Sequence, residues 1–206
     1  MLNEIVLLTG EVEGPHLAAV LTSHNPELSV ICAETASELK VACLAGEAGA
    51  PDSGINRRLI AYCTNVIVPA SVLDAVTHPA YNFHPGPPTY PGAHASSFAI
   101  YEGARRFGVT AHVMERSVDS GAIVGVDWFD VPENERFLDL ELKAYGQMLH
   151  LFNRLAHWLA TSEVPLTELD MSWGARKTTT ADYEKMKQFD GDMSEEEIKL
   201  RWRAFG

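Results

Sequence analysis

Between Tyr81 and Gly92 the chain reads Tyr-Asn-Phe-His-Pro-Gly-Pro-Pro-Thr-Tyr-Pro-Gly. The eight residues from Pro85 hold four prolines and two glycines. Proline lacks an N–H and fixes φ, so these residues cannot lie inside a helix or a central strand. They form a rigid loop between two ordered elements. Asn82 and His84 stand two apart just before it, and in an extended segment both side chains project on one face. An amide donor beside an imidazole suits a reaction at a carbonyl group: the amide binds a developing oxyanion while the imidazole moves protons. The plainer alternative is an asparagine capping the turn and a histidine making one backbone bond.

Composition narrows the classes. The 206 residues suffice for one sizeable domain with a small appendage, and 46% hydrophobic with 21% charged residues is globular. No apolar run is long enough to span a bilayer, so no membrane role is expected. The net charge of −12 argues against a nucleic-acid partner. Cys32, Cys43 and Cys63 are odd in number and lack metal-like spacing, as do the eight histidines. Buried free thiols in a reducing cytoplasm, and no metal, are the expectation.

From the start, residues 4–10 read as a buried parallel strand, 16–23 as a helix opened by Pro15, and 28–32 as a second strand. This strand–helix–strand opening indicates an α/β, Rossmann-like, mostly parallel sheet with helices on both faces. Residues 34–49 are helical in composition and 49–54 a turn. Residues 58–63 and 65–68 give a further strand region, and 71–76 and 97–106 are helical. Residues 109–114 alternate as a half-buried strand, 118–121 form a tight turn, and 122–131 return as the second arm of an antiparallel hairpin. A long amphipathic helix spans roughly 136–160. A catalytic domain over 1–164 and a short C-terminal extension over 165–206 follow from the change of character after Pro165. In that extension Ser194 and Glu197 form a capping box, with Ile198, Trp202 and Phe205 on one helix face that packs back or pairs a homodimer.

Asp119 stands in the hairpin turn before Ser120-Gly121, where its carboxylate is either a turn former or a partner for an imidazole. Asn82-x-His84-Pro85, then Gly108-x-Thr110-x-His112, then Asp119-x-Gly121, with His84 and Asp119 thirty-five positions apart, resembles the 10-formyltetrahydrofolate-dependent formyltransferase family. That family includes the glycinamide ribonucleotide enzyme and the N-terminal domain of the methionyl-tRNA enzyme. The likeness runs from about Val66 to Ile123. Beyond it, the arginine-threonine run after Ala175 and the final Arg201-x-Arg203-Ala204-Phe205 resemble the region after the catalytic domain in the tRNA and sugar enzymes. Gly86-Pro87-Pro88 replaces the family's usual Ser-Leu-Leu-Pro, and the purine enzyme's phosphate-binding loop is missing.

The resemblance implies an N-formyltransferase that moves a formyl group from 10-formyltetrahydrofolate to a small-molecule amine through a tetrahedral intermediate. Asn82 would donate to the oxyanion, and His84 would exchange the proton. Asp119 would orient His84 and raise its pKa, with His112 supporting Asp119. The pterin would lie on Val66, Ile67, Val68 and Val72 and meet Val118, Ser120 and Gly121. For the acceptor, Gly10 and Glu11 belong to a plain loop or to a pocket for a neutral or amine-bearing ligand, because glutamates at 11 and 13 repel phosphate. His94 and His112 border that pocket, and an amino sugar fits it better than a phosphoribosyl compound. Ser96 and Ser97 line it too or, as the favoured reading, cap the next helix. Two alternatives stay open: a formyltetrahydrofolate hydrolase, and a non-catalytic folate-binding domain.

Overall fold

The computed structural model describes residues 1–44 and 54–206. The helical reading beyond Leu44 and the turn from Gly49 lie outside the described residues. In chain order the elements are β1 (Glu4–Leu8), α1 (Glu13–His24), β2 (Ser29–Ala33), α2 (Ala36–Leu44), β3 (Arg57–Tyr62), α3 (Ala70–Leu73) and β4 (Tyr81–His84). Then come α4 (Ala95–Tyr101), β5 (Arg106–Val113), β6 (Ile123–Asp130), α5 (Phe137–Thr161), α6 (Thr180–Met186) and α7 (Glu195–Phe205).

One sheet holds the strands in the order β2-β1-β3-β4-β5-β6. The β1–β2, β1–β3 and β3–β4 pairs are parallel, while β4–β5 and β5–β6 are antiparallel. Alternation along each strand divides the core in two. Ile5, Leu7, Ile60, Tyr62, Tyr81, Phe83, Val109 and Ala111 face α1, α4 and α5. Val6, Leu8, Leu59 and Ala61 face Leu39, Cys43 and Val72 of α2 and α3.

Arg58 on β3 is fully buried and, among the described residues, has no carboxylate partner. Its guanidinium instead donates to the Leu159 carbonyl at 2.6 Å and the Ser162 carbonyl at 2.9 Å, and lies 5.5 Å from the centre of the Tyr81 ring. The negative end of α5 thus satisfies the charge and ties the longest helix to the sheet.

Several elements depart from the sequence reading for local reasons. Residues 65–68 are not a strand: the chain leaves the sheet at Cys63 (φ 47°), and Val66 N–H bonds the Thr64 hydroxyl at 3.1 Å. Helix α4 ends at Tyr101 because Gly103 turns left-handed (φ 72°), so Arg106 opens β5 instead of closing a helix. Strand β5 is buried on both faces, since it lies between β4 and β6 and is covered on both sides. Ser96 and Ser97 do not cap α4; His94 (φ 58°) holds the cap position and both serines are buried in the first turn.

The C-terminal residues fold back onto the sheet. Leu166 N–H bonds the Tyr81 hydroxyl at 2.9 Å and Leu169 N–H bonds the Ile123 carbonyl at 2.7 Å. Helix α6, absent from the sequence reading, is announced by a capping box of Thr179 and Asp182. Ser194 caps α7 from one side only, because Glu197 turns to Tyr101 (2.9 Å) and Arg201 (2.6 Å). Of the expected apolar face of α7, Phe205 is buried against Phe98, Tyr101 and Tyr183, while Ile198 and Trp202 stay exposed.

Replacing Arg58 by Ala leaves two helix-terminal carbonyls unpaired and opens a cavity. Urea denaturation is expected to show a loss of about 3–4 kcal/mol.

Candidate active site

The register of two strands builds the site. Asn82 pairs with His112 and His84 with Thr110 across β4 and β5. Their neighbours Tyr81, Phe83, Val109 and Ala111 point into the main core, so these four polar side chains share the opposite face. The proline-rich loop covers this polar patch, and the Thr110 hydroxyl donates to the Gly86 carbonyl at 2.8 Å. A Cβ at Gly86 would stand 2.6 Å from His84 Nε2, so the loop can close over the ring only with glycine there.

Asp119 reaches the patch from the β5–β6 turn, held in the left-handed region at φ 45°. Its carboxylate is 3% exposed. The Gly92 N–H donates to Oδ2 at 2.7 Å, His112 Nε2 lies 3.3 Å from Oδ1, and His84 Nδ1 lies 3.6 Å from Oδ2. Burial alone would raise the Asp119 pKa. The hydrogen bond from His112, the charge of His84 and the Gly92 N–H outweigh it and push the carboxyl down to about 2.

Each histidine has one committed nitrogen. His84 Nε2–H donates to the Tyr90 carbonyl at 3.0 Å, since a carbonyl can only accept. Proton exchange on His84 is therefore confined to Nδ1, the nitrogen that faces Asp119. His112 Nδ1–H likewise donates to the Val113 carbonyl at 2.8 Å, leaving Nε2 toward Asn82 Nδ2 at 3.0 Å. Two arrangements satisfy that contact. A neutral His112 accepts from the amide N–H. A protonated His112 donates to Asp119 and meets the amide oxygen, which turns the amide NH2 group away from the ring.

The pKa of His84 runs opposite to the sequence expectation. Asp119 raises it, as does the Tyr90 carbonyl, but burial of the ring is the larger effect and His112 adds to it. The net direction is down from the ordinary histidine value, because in so dry a site desolvation of the imidazolium outweighs one carboxylate.

An open cleft of about 80 Å³ adjoins the cluster; Asn82, His112 and Asp119 form its floor. Val66, Ile67 and Val68 make one wall and residues 115–118 the other. Ile67 and Val118 are exposed at its rims. His84 is not on the cleft wall. Val72 is fully buried among Val6, Leu8 and Leu59 and cannot touch a ligand. Ser120 bonds the Ser117 carbonyl at 2.7 Å, and the Gly121 carbonyl accepts from Trp173 at 2.8 Å; neither lines the cleft.

On the acceptor side, Gly10 and Glu11 are exposed at the end of β1, where the strand order reverses between β1 and β3. Glu13, rather than Glu11, turns over this loop: its Oε1 accepts from the Tyr145 hydroxyl at 3.1 Å, and its Oε2 would stand 2.7 Å from a Cβ on Gly10. Of the three thiols expected to be buried only Cys43 is; Cys32 and Cys63 are exposed, because Cys32 lies on the edge strand β2 and Cys63 just past the end of β3. Partial desolvation, together with the charges of Glu13 and Glu141, raises the Cys63 thiol pKa. His94 stacks on Tyr183 at 3.9 Å and is absent from the cleft lining.

Residues 58–147 match the profile of the family described as Formyl transferase, a span that contains Asn82, His84, His112 and Asp119. Over these residues the chain is similar to the formyl transferase family. A comparison with curated protein sequences returned no match. Among solved structures the fold is similar to a sugar N-formyltransferase from a Shewanella species (TM-score 0.76, 15% identity, 99% of this chain and 88% of that one). It is also similar to a 4-N formyltransferase from Francisella tularensis (TM-score 0.73, 16% identity, 98% and 87%). A third is the N-formyltransferase from Helicobacter canadensis, solved with folinic acid and dTDP-3-aminofucose (TM-score 0.69, 15% identity, 100% and 81%). Among the described residues no helix is long and apolar enough to cross a membrane, and no group of side chains could hold a metal.

Two contributors to this cluster escaped the sequence reading. The Gly92 N–H left no trace because glycine there reads as loop, and Trp173 stands ninety-one positions from Asn82, just before the arginine-threonine run, with nothing in its own spacing to tie it to the histidines.

Asp119 contributes stability that is full above the ordinary aspartate value near 4 and is lost as the pH falls toward about 2. Chemical denaturation across pH is expected to show Asp119→Asn costing about 2–3 kcal/mol at pH 7, a gap that closes near pH 2. His84 acts in a second window: because its folded pKa is depressed, protonation destabilises the fold as the pH falls below the ordinary histidine value.

Proposed function

We propose that this protein transfers a formyl group from 10-formyltetrahydrofolate to an amine of a small molecule. The observation that carries the reading is the cluster of Asn82, His112 and Asp119 at the floor of a cleft with one apolar wall, with His84 buried behind Asp119. A pterin ring placed between the exposed side chains of Ile67 and Val118 would bring its formyl carbon to that floor.

The acceptor nitrogen attacks the formyl carbon, and a C–N bond forms as the carbonyl oxygen gains negative charge. Asn82, with its amide NH2 turned from His112 into the cleft, donates to that oxygen; one such donor typically supplies about 3–4 kcal/mol. The attacking amine loses its proton to His84 Nδ1 through a water relay, since His84 stands behind the cleft floor, and the low pKa of His84 keeps that nitrogen free to accept at neutral pH. The ionised carboxylate of Asp119 balances the imidazolium while it lasts. The proton then passes to the folate nitrogen as its bond to the formyl carbon breaks, releasing tetrahydrofolate and the N-formyl product.

Acidic side chains at the end of β1 support a neutral or cationic acceptor over a phosphate. An amino sugar is the acceptor class we propose; the Helicobacter canadensis enzyme was solved with a nucleotide-linked one, dTDP-3-aminofucose, and the acidic side chains here favour a form without the diphosphate near β1. Water in place of the amine would make the protein a hydrolase, a reading favoured only if formate appears without any acceptor. The homodimer expected from the C-terminal extension would use Ile198 and Trp202, the exposed apolar residues of α7; sedimentation of a Trp202→Glu variant tests it.

Offered 10-formyltetrahydrofolate and a panel of amines and amino sugars, the protein is expected to consume the formyl group only with an acceptor present. His84→Ala lowers kcat by about 10²–10⁴-fold and Asn82→Ala by about 10²–10³-fold, with tetrahydrofolate binding kept. Near-wild-type turnover in His84→Ala would exclude this mechanism. The acid limb of the kcat profile lies below the ordinary histidine pKa, and Asp119→Asn moves it lower still, because the carboxylate is the largest influence that raises His84.

A further inference from the structure

The match to the formyl transferase family ends at residue 147, yet a later segment lies against the reacting cluster. Trp173 Nε1–H donates to the Gly121 carbonyl at 2.8 Å. Its ring meets His112 edge-on, with centroids 4.9 Å apart and planes at 87°, and His84 at 5.8 Å and 70°. Trp173 is absent from the cleft wall, so it stands behind the two imidazoles and not in the path of a substrate.

The residues after it bond two separate loops. On the proline-rich loop, Gly174 N–H donates to the Pro88 carbonyl at 2.8 Å and Thr178 N–H to the Pro91 carbonyl at 3.0 Å. Ala93 N–H donates to the Thr178 carbonyl at 2.9 Å, and the Thr178 hydroxyl donates to the Ala93 carbonyl at 2.6 Å. On the β5–β6 turn, Lys177 Nζ donates to the Ser117 hydroxyl at 3.0 Å and to the Val118 carbonyl. Glycines make the closeness possible: a Cβ on Gly92 would stand 2.2 Å from the Thr178 carbonyl oxygen, and one on Gly174 would stand 2.6 Å from that of Thr89. The first loop supplies the Gly92 N–H and the Tyr90 carbonyl, which hold Asp119 and His84; the second carries Asp119 itself.

We propose that residues 173–178 are a clamp that sets the separation of His84 and Asp119, with Trp173 the positioning residue that holds both imidazoles and keeps water from them. This rests on the formyl-transfer reading for its effect on turnover, but its effect on the histidines does not need that reading. Among the described residues, the Gly92–Asp119 bond is the direct hydrogen bond between these two loops, so a third segment bonded to both removes their freedom to part. A displacement of an ångström there is enough to cost about 10²-fold in rate.

The charged groups facing His84 are Asp119 and His112; of the clamp's own charges, Arg176 is paired with Glu102 and Lys177 is turned to Ser117 and Val118. Removing the indole therefore admits water without removing a charge, and relieves the burial that depresses the His84 pKa. The experiment is ¹⁵N NMR titration of the histidines in the full chain, beside steady-state kinetics, for Trp173→Ala, Trp173→Phe and Lys177→Met.

In Trp173→Ala the midpoint of His84 is expected to move up toward the ordinary value. The kcat falls about 10-fold or more with KM for the formyl donor within about threefold. Trp173→Phe keeps a ring but loses the bond to Gly121, and restores the titration with part of the turnover. Lys177→Met, which frees only the Asp119 turn, weakens the carboxylate's hold on His84, so its midpoint shifts further down instead of up; this variant serves if Trp173→Ala does not fold. Unchanged midpoints and tautomers in folded variants would overturn the clamp, as would a rate loss that tracks only the loss of folded protein. If the midpoints move while the wild-type protein consumes no formyl group, the clamp stands and the proposed reaction falls.

Discussion

A carboxylate buried to 3% exposure is the constraint around which this molecule is arranged. An ion in that position is stable only where donors and opposite charge replace its water. Asp119 receives a backbone N–H from Gly92 and faces two imidazole nitrogens, one on β4 and one on β5. Each partner imposes a further condition. Gly92 must reach the carboxylate at φ 98° while packed on Thr178, which leaves no room for a side chain. Asp119 must adopt φ 45°, a region that short polar side chains tolerate better than most. The imidazoles must present the correct nitrogen, and the carbonyls of Tyr90 and Val113 hold the other.

The same arrangement decides how the site handles protons. Burial disfavours the imidazolium of His84, while the low pKa of Asp119 keeps a negative charge next to it. The pair is thus split into a neutral base and a permanent anion at neutral pH, the division of labour that acid–base chemistry on a carbonyl adduct requires. His112 differs from His84 in what its free nitrogen meets: an amide, not only a carboxylate. Asn82 and His112 are hydrogen-bonded to each other, and His112 and His84 both face Asp119, so these side chains form one network.

Arg58 meets the same desolvation problem at a place without chemistry. A guanidinium in the core is stabilised there by the carbonyls at the end of α5, and the result is attachment of a helix to the sheet. Buried charge alone therefore does not mark the active site. What distinguishes the Asp119 cluster is that three of its members border an open cleft.

Sequence by itself determined the parts that depend on local rules. The two-residue spacing of Asn82 and His84 put both on one face of a strand, the prolines made a rigid loop after them, and the alternation in β5 placed Thr110 and His112 on a shared face. The apolar runs and their turns were enough for a mostly parallel sheet with helices on both sides, and the Asn-x-His-Pro to Asp-x-Gly interval was enough for the family resemblance. Tertiary structure alone decided what depends on contacts between distant segments. Residues 65–68 are apolar and β-branched, yet they serve as a cleft wall because the chain has already left the sheet at Cys63. Val72, apolar like its neighbours, went to the core. The direction of the His84 pKa shift follows from how much water is excluded, a quantity no motif contains. The run after Trp173 shared the family resemblance without pointing to a role; only the path of the C-terminal residues back across the sheet brings its indole against two imidazoles, because hydrogen bonds to Pro88, Pro91 and Gly121 exist only once those loops are side by side.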